Sequence, residues 1–313
     1  MPHPDEEFHC SAPVILRALY LNDRGLLGET LSQASLSCIS DGMNLTDYLT
    51  RISYSAPLRV DLETLNGLIE AHVRAVPFEN LDIYAERPVE WSLEAAYDEI
   101  VTRKQGGWCF EMNTLFEWVL SEIGFEVTRL SGGVRRKKMG DAALGNHLCL
   151  MVSLDRDYLV DVGFGGSQIS AIALEEAETL HRPLRMALLD AGDGYWRMHE
   201  GGWRSAMSYD FRAEPADNAL LQRQHDVQVE DPNSIFRKTM TAKIRRGRSY
   251  HTLRGQVLET NHPGSKDAPR IIESVDEMRT VLRDLFGLEE PDLERLWPML
   301  TARRRQMFPR SDA

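Results

Sequence analysis

A cysteine that follows a glycine pair is the residue of this chain best placed to do chemistry. Cys109 comes after Gly106, Gly107 and Trp108, and an apolar pattern of helical spacing begins behind it. Glycines let the backbone turn sharply and approach another group closely. The free N–H groups and positive dipole end of a following helix favour the thiolate, the nucleophilic form of cysteine. The position therefore indicates a nucleophile, whereas an inert cysteine packed in the core is the alternative for any lone cysteine.

The helix behind Cys109 is predicted by the spacing of its apolar side chains. These side chains recur at the period of one helical face, and they are Met112, Leu115, Phe116, Val119, Leu120 and Ile123. Gly124 supplies a stop at the C-terminal end. We therefore expect Cys109 at the first turn of a helix whose far side is anchored in a core.

A thiol nucleophile needs a base, and the base needs a group that orients it. Of the nine histidines, His147 opens an apolar strand pattern directly after a turn-like Gly145 and Asn146. The next strand pattern carries Asp161 within an apolar run, where a carboxylate is costly unless it is hydrogen-bonded. Cys109, His147 and Asp161 are therefore a candidate triad. A locally bonded histidine and a turn-capping aspartate are the alternatives.

The strand pairing predicted around this aspartate conflicts with the triad. A tight hairpin at 155–157 pairs Met151 with Asp161. His147 then lies about four residues, roughly 13 Å, along the sheet from the carboxylate. The triad therefore requires either a different loop or a pairing that is not a hairpin.

The elements that must position these residues fall into successive units. Residues 1–42 lack sustained periodicity, and we predict a mobile extension there. Residues 43–127 are predicted as a helical unit that carries the nucleophile, with helices opening near residue 46 and at 61–76, at 93–103 and after Cys109.

Strand patterns dominate the middle of the chain, and the last third is mixed. A strand-rich unit is predicted at 128–229. Its strands are expected at 125–130, 148–154, 158–162, 195–199, 203–209 and 224–229, of which the first begins just before the unit. Residues 230–313 combine strand patterns with helical ones, namely strands at 248–253 and 256–260 and helices at 276–286 and 291–299. Helices, then strands, then a mixed unit predict an α+β protein.

Composition and charge exclude several classes of protein. A chain of 313 residues can bury a large core and is expected to form two or three domains. The net charge of −12 argues against non-specific binding to nucleic acid. No apolar run is long enough to span a bilayer, and the apolar stretch 13–21 lacks the basic residues that precede the core of a signal peptide.

The cysteines give no metal or redox pattern. The four cysteines are Cys10, Cys38, Cys109 and Cys149, and they contain no CxxC pair and no ligand spacing of a zinc site. A long chain without a predicted signal peptide is expected to be cytoplasmic, with its thiols reduced.

Several segments, in the right order, resemble the arylamine N-acetyltransferase family. Residues 76–83 (VPFENLDI) resemble its N-terminal signature, and 106–113 (GGWCFEMN) resemble its nucleophile motif. His147 stands where the family has its catalytic histidine, and 158–165 (YLVDVGFG) match the segment with the catalytic aspartate. Residues 233–236 (NSIF), followed by a basic turn at 246–248, resemble the start of its third domain. The combination is specific and covers roughly residues 44–258.

The resemblance implies a fold and an activity. The fold is a helical bundle, a β-barrel-like middle domain and an α/β lid, around a Cys-His-Asp core like that of cysteine proteases. The activity is ping-pong transfer of an acetyl group from acetyl-CoA to an arylamine, arylhydrazine or N-hydroxyarylamine. The implied partners are therefore a small amine and an acyl-CoA, with no permanent cofactor, metal, nucleic acid or membrane. The sequence departs from the family at Gln105, where an arginine is usual.

Two groups of residues are candidates for substrate contacts. Phe78, Phe110 and Phe164 could line a site for a flat aryl acceptor, with ordinary core packing as the alternative. Arg246 and Arg248 belong to a basic segment that could meet the nucleotide end of CoA, with a solvated basic face as the alternative.

Other functions use the same triad. An amide synthase of this family would act on a polyketide thioester, and a cysteine peptidase or transglutaminase-like hydrolase would cleave its substrate instead. A binding scaffold with a decayed site is a third alternative, and three intact triad positions argue against it.

Overall fold

A computed structural model of the chain describes residues 19–21, 27–29, 42–202 and 205–307. Most of the predicted extension at 1–42 lies outside these ranges. Within it, strand β1 (Leu19–Leu21) pairs antiparallel with β2 (Leu27–Glu29). No helix in the described part of the chain is long and apolar enough to cross a membrane.

Helices form most of the first part of the chain, as predicted. They are α1 (Leu45–Arg51), α2 (Leu62–Ala75), α3 (Leu81–Tyr84), α4 (Leu93–Tyr97), which continues as a π-helical turn (Asp98–Thr102), and α5 (Cys109–Ile123). The side chains of Asn44, Asp61 and Ser92 accept hydrogen bonds from the first turns of α1, α2 and α4. Gly124 ends α5 with a φ of 105°, which confirms the predicted stop.

An eight-stranded antiparallel sheet follows. Its strands are β4 (Glu126–Val134), β5 (His147–Ser153), β6 (Asp157–Val160), β7 (Ile172–Ala173), β8 (Ala177–His181), β9 (Leu184–Gly192), β10 (Tyr195–Glu200) and β11 (Ser208–Phe211), with the short helix α6 (Arg136–Met139) after β4. The strand order is β7-β6-β5-β4-β11-β10-β9-β8. Because the two edge strands, β7 and β8, follow each other in the chain, the sheet curls into a nearly closed, barrel-like form.

The strand predicted at 224–229 is wrong, since this segment belongs to helix α7 (Asn218–Glu230). The Asp217 side chain caps the helix through the N–H groups of its first turn. Leu221 and His225 are four residues apart and both buried, whereas Val227 is 52% exposed. Burial therefore follows the helical period, although the valines at 227 and 229 alternate as in a strand.

Three strands of the barrel-like sheet, β7, β8 and β9, were not predicted. Strand β11 begins at Ser208, later than the predicted start at 203, and residues 203 and 204 lie outside the described ranges.

A second sheet joins the last third of the chain to the first. Its strands are β3 (Phe78–Glu79), β12 (Thr241–Arg246), β13 (Ser249–Arg254), β14 (Val257–His262), β15 (Ser265–Lys266) and β16 (Arg270–Ile271). The helices of this region are α8 (Ile235–Lys238), α9 (Val275–Val281) with a π-helical turn (Leu282–Phe286), and α10 (Leu293–Met307). Lys243 of β12 pairs with Phe78 of β3, so the N-terminal part contributes a strand to this sheet. The domain limits at 127 and 229 remain a prediction.

Helix α5 lies in the largest core cluster, between the other helices and the barrel-like sheet. Met112, Leu115 and Phe116 of α5 are fully buried, and Leu148 and Leu150 of β5 belong to the same cluster. This packing holds the N-terminal end of α5 beside the start of β5.

Candidate active site

Cys109 is the first residue of α5 and is 3% exposed. The glycine pair before it packs on the chain that enters β3. Gly107 N donates to the Pro77 oxygen at 3.2 Å, and the Gly107 oxygen accepts from Glu79 N at 2.9 Å. A Cβ on Gly106 would lie 2.3 Å from the Pro77 oxygen, which leaves no room for a side chain. The close approach predicted for these glycines is confirmed.

At the start of α5, one backbone N–H group is capped by a side chain and the next two have no acceptor within the helix. Glu111 Oε2 accepts a hydrogen bond from Trp108 N at 3.0 Å, which is one half of a capping box. The N–H groups of Cys109 and Phe110 are the first two of the helix, and the helix itself offers them no acceptor. They are therefore suited to bind a developing negative charge next to the thiol.

His147 and Asp161 meet at the start of β5. His147 Nε2 lies 2.7 Å from Asp161 Oδ2, and both side chains are buried. Strand β5 pairs with β6 so that Met151 faces Leu159, which means that the predicted pairing of Met151 with Asp161 is wrong by two residues.

The loop between the two strands explains the difference. Ser153 pairs with Asp157, and the loop is 154–156, not 155–157. When the loop moves by one residue along the chain, one strand lengthens by a residue and the other shortens by a residue. Each residue of β6 therefore pairs with a residue of β5 two positions away from the predicted one. Asp161 therefore lies two residues nearer to His147 than predicted, within hydrogen-bonding reach.

Asn113 joins helix α5 to this pair. It lies four residues after Cys109, on the same face of α5, and is fully buried. Its Nδ2 donates to Asp161 Oδ1 at 3.0 Å and to the Leu148 oxygen at 2.7 Å, and its Oδ1 accepts from Val162 N at 3.1 Å. The amide thus bonds α5, β5 and the segment after β6 at once.

Gly163 lets the segment after β6 pack closely against Cys109. Its N–H donates to Asp161 Oδ1 at 2.9 Å. A Cβ here would lie 2.6 Å from Cys109 Cα and 2.6 Å from Asn113 Nδ2. Any larger residue would therefore push Asp161 and Cys109 apart.

Opposing effects set the pKa of His147. Burial lowers this pKa, but the Asp161 carboxylate and a hydrogen bond with Cys109 raise it more, to about 10. The imidazole is therefore protonated at neutral pH in this arrangement. The structure brings Cys109, His147 and Asp161 together, and this geometry can hold a thiolate beside an imidazolium.

The structure brings two of the three predicted aromatic residues together. The Phe164 ring lies 5.2 Å from the His147 ring, and Phe78 faces it across Lys243, whose Nζ is 5.6 Å from the Phe78 centroid and 5.9 Å from the Phe164 centroid. The Phe110 ring instead packs in a separate aromatic cluster with Trp108, Trp91 and His225, at 4.8, 5.1 and 5.4 Å.

The basic segment is used largely to hold the fold. Arg246 donates to the backbone oxygens of Leu285 and Arg74, whereas Arg248 is exposed at the turn between β12 and β13. Arg245 is buried and donates to four backbone oxygens, those of Gly166, Ser167, His181 and Arg182. A contact of Arg246 or Arg248 with CoA stays a prediction.

Several carboxyl groups lie close to the glycine pair. Gln105, the position at which the sequence departs from the family, lies in the same region. Burial raises the pKa of Glu79 to about 7 and that of Glu111 to about 8, and each is raised further by a neighbouring carboxylate. Gln105 and Glu79 line a cavity of about 610 Å³ together with Glu99 and Glu290. No triad residue lines this cavity. Within the described ranges, no group of three acidic, histidine or cysteine side chains could hold a metal.

Sequence reasoning missed two residues of the site. Asn113 could have been found, because a polar residue four positions after the nucleophile shares its helical face. Lys243 belongs to the basic segment recognised in the sequence, but its position beside Phe78 and Phe164 could not have been found, since strand β12 itself was not predicted.

Known proteins are similar to this chain over most of its length. A family model described as N-acetyltransferase matches residues 61–293. An arylamine N-acetyltransferase of Mycolicibacterium smegmatis is 35% identical over 261 residues, which cover 80% of this chain and 94% of the relative. Arylamine N-acetyltransferase 1 of Homo sapiens is 30% identical over 275 residues, which cover 79% and 94%.

Solved structures show the same fold. The arylamine N-acetyltransferase of Mycobacterium marinum in complex with CoA superposes with a TM-score of 0.73 at 31% identity, covering 83% of this chain and 98% of that one. With the family model matching most of the chain, this chain belongs to the arylamine N-acetyltransferase family and is an enzyme of that class.

Proposed function

We propose that the protein transfers an acetyl group from acetyl-CoA to an arylamine, arylhydrazine or N-hydroxyarylamine through an acyl-Cys109 intermediate. The observation that carries this proposal is Cys109 at the start of α5, near enough to His147 to raise the pKa of its imidazole, with His147 Nε2 lying 2.7 Å from Asp161 Oδ2. Membership of the family supports the acetyl group, and the CoA complex of the M. marinum relative supports acetyl-CoA as its donor.

In the first half-reaction the Cys109 thiolate attacks the thioester carbonyl. A carbon–sulfur bond forms, and the N–H groups of Cys109 and Phe110 stabilise the oxyanion. The bond to the CoA sulfur then breaks, and the leaving thiolate takes the proton of the His147 imidazolium. Acetyl-Cys109 and neutral His147 remain.

In the second half-reaction the amine attacks the acetyl carbonyl, and His147 takes the proton that the amine loses. The carbon–sulfur bond breaks, so that the Cys109 thiolate and the imidazolium are restored. Asp161 holds the imidazole in one orientation throughout, as the acid does in other triads.

The closed surroundings of the triad suit a thioester intermediate. Cys109 is 3%, His147 2% and Asp161 1% exposed. Water that reached acetyl-Cys109 would hydrolyse it, so burial favours transfer to an amine over loss of the acetyl group.

Intact mass spectrometry after incubation with acetyl-CoA tests the proposal. We expect one acetyl group per chain, its removal when an arylamine such as 4-methoxyaniline is added, and no adduct in Cys109→Ser. Cys149→Ala is the matched control, because Cys149 is the other buried free cysteine of the described residues. An adduct that persists in Cys109→Ser, or peptide cleavage without use of any acyl-CoA, would overturn the proposal.

A further inference from the structure

A cavity of about 610 Å³ lies beside the glycine pair, and no triad residue lines it. Its volume falls in the range of small-molecule sites, about 300–1,000 Å³. Glu79 and Gln105 line it, and a Cβ on Gly106 would lie 2.5 Å from Glu79 Cγ. Four leucines line it as well: Leu81, Leu282, Leu288 and Leu293. The cavity therefore combines polar groups with an apolar wall.

Ion pairs already use the arginines that line this cavity. They pair as follows: Arg87 with Asp82, Glu290 and Asp292, Arg103 with Asp98 and Glu99, Arg279 with Asp276 and Glu294, and Arg283 with Asp284. An anion that entered the cavity would have to replace one of these carboxylates. A cation needs a carboxylate without a partner, and Glu79 supplies one.

One carboxyl oxygen of Glu79 has no partner. The residue is 7% exposed, and its Oε2 accepts from Leu81 N at 2.5 Å. Within the residues that the structure describes, Oε1 accepts no hydrogen bond and forms no ion pair. A buried carboxylate in this state is costly unless it is protonated or meets a cation. Burial accordingly raises the pKa of Glu79 to about 7, and Asp82 and Glu290 raise it further against Leu81 N and Arg87.

The cation that best suits a buried carboxylate is a guanidinium. A cation loses hydration when it enters the cavity, and a guanidinium is more weakly hydrated than an ammonium. Its planar set of N–H donors can bond two acceptors at once. Beside Glu79, the Oε1 of Gln105 is such an acceptor, since it has only a long bond of 3.4 Å from Glu289 N. An alkyl stem would bury apolar surface against the four leucines.

We propose that this cavity binds an alkylguanidinium compound, with the guanidinium on Glu79 and Gln105 and the stem on the leucines. The site is separate from the triad, so the inference goes beyond the proposed function and does not depend on it. The occupant lies against the chain that leads into α5, because Glu79 N donates to the Gly107 oxygen at 2.9 Å.

The affinity should depend on pH, because the guanidinium binds the ionised carboxyl of Glu79. With a pKa of about 7, this carboxyl is mostly ionised at pH 8 and mostly protonated at pH 6, so the dissociation constant should be about tenfold higher at pH 6. Other charged groups near Glu79 or on this cavity are Asp82, Arg87, Glu99, Arg103, Glu111 and Glu290. Of these, Glu111 has a pKa raised to about 8, and its ionisation strengthens the same trend.

Isothermal titration calorimetry of the full chain with n-butylguanidinium tests the inference. We expect saturable binding to one site at pH 8. n-Butylurea has the same shape without the charge, n-pentylammonium carries an ammonium instead, and both should bind at least about tenfold more weakly. Glu79→Gln keeps the size of the side chain and should lose at least about tenfold in affinity at pH 8, together with the pH dependence. The matched control Glu90→Gln removes an exposed carboxyl and should bind as wild type does.

Three outcomes would overturn the inference. They are no saturable binding to wild type up to about 10 mM, an affinity of Glu79→Gln within about twofold of wild type, and equal binding of n-butylurea. Equal binding of n-pentylammonium would overturn the choice of a guanidinium head. The titration contains no acyl-CoA, so its result is independent of whether Cys109 carries an acetyl group, and the proposed function stands or fails separately.

Discussion

Replacing Glu79 by glutamine should stabilise the protein at alkaline pH and much less at pH 5. Glu79 is 7% exposed, and its Oε2 accepts a hydrogen bond from Leu81 N at 2.5 Å. Burial raises the pKa of this carboxyl from 4.5 to about 7, and the nearby Asp82 and Glu290 raise it further against the effect of the backbone hydrogen bond. A glutamine keeps an acceptor for Leu81 N but never ionises.

The direction of this pH dependence follows from the protons that the folded and unfolded states bind. Between about pH 4.5 and 7 the folded state holds a proton on Glu79 that the unfolded chain has lost, so stability falls as the pH rises through this window. A pKa raised from 4.5 to about 7 makes ionisation cost the folded state about 3 kcal/mol above pH 7. At pH 5 the same difference amounts to less than about 1 kcal/mol.

Urea unfolding followed by circular dichroism and tryptophan fluorescence at pH 5 and pH 8.5 measures this difference. Glu79→Gln should gain about 3 kcal/mol over wild type at pH 8.5 and less than about 1 kcal/mol at pH 5. Glu90→Gln is the matched control, since it removes a carboxyl from an exposed loop position and should give no such pH dependence. A gain in Glu79→Gln that is equal at both pH values, or a loss at pH 8.5, would refute the reasoning.

Two further predictions concern the triad. His147→Gln should slow alkylation of Cys109 by iodoacetamide at pH 7 at least about tenfold, because the imidazolium that stabilises the thiolate is lost. In wild type the alkylation rate should stay level up to about pH 9, since the pKa of His147 is raised to about 10, and an unchanged rate in the variant would mean that no ion pair exists. Asn113→Ala should lower the free energy of unfolding by about 1–3 kcal/mol, because it leaves the Leu148 oxygen and Val162 N without their partner. It should also lower kcat more than it raises KM, and full activity would refute a positioning role.

Local patterns predicted well wherever neighbouring residues decide the structure. Helix α5, its stop at Gly124 and the place of Cys109 follow from a period of apolar side chains and from the needs of a helix end. The same reasoning failed at 224–229, where alternating valines suggested a strand and a helix forms. There the burial of Leu221 and His225 against the core outweighed the local pattern.

Strand pairing shows a second limit. Whether the loop after β5 is 154–156 or 155–157 is a matter of one residue, and turn residues alone do not distinguish the two. That one residue decides whether Asp161 reaches His147, because each step of the loop moves the register by two. Only the packing of both strands against α5 sets the pairing.

The sequence by itself singled out Cys109, His147 and Asp161 as a candidate triad, since each lies in a local pattern and the three together favour this chemistry over the separate alternatives. The tertiary structure decided what surrounds them: the Asn113 amide that bonds α5 to β5 and to the segment after β6, the buried carboxyl groups of Glu79 and Glu111 near Gln105, and Lys243 beside Phe78 and Phe164. Asn113 meets Asp161 across 48 positions of the chain, and Lys243 meets Phe78 across a much longer separation. Contacts of that separation depend on how the elements pack, which no local period of side chains encodes.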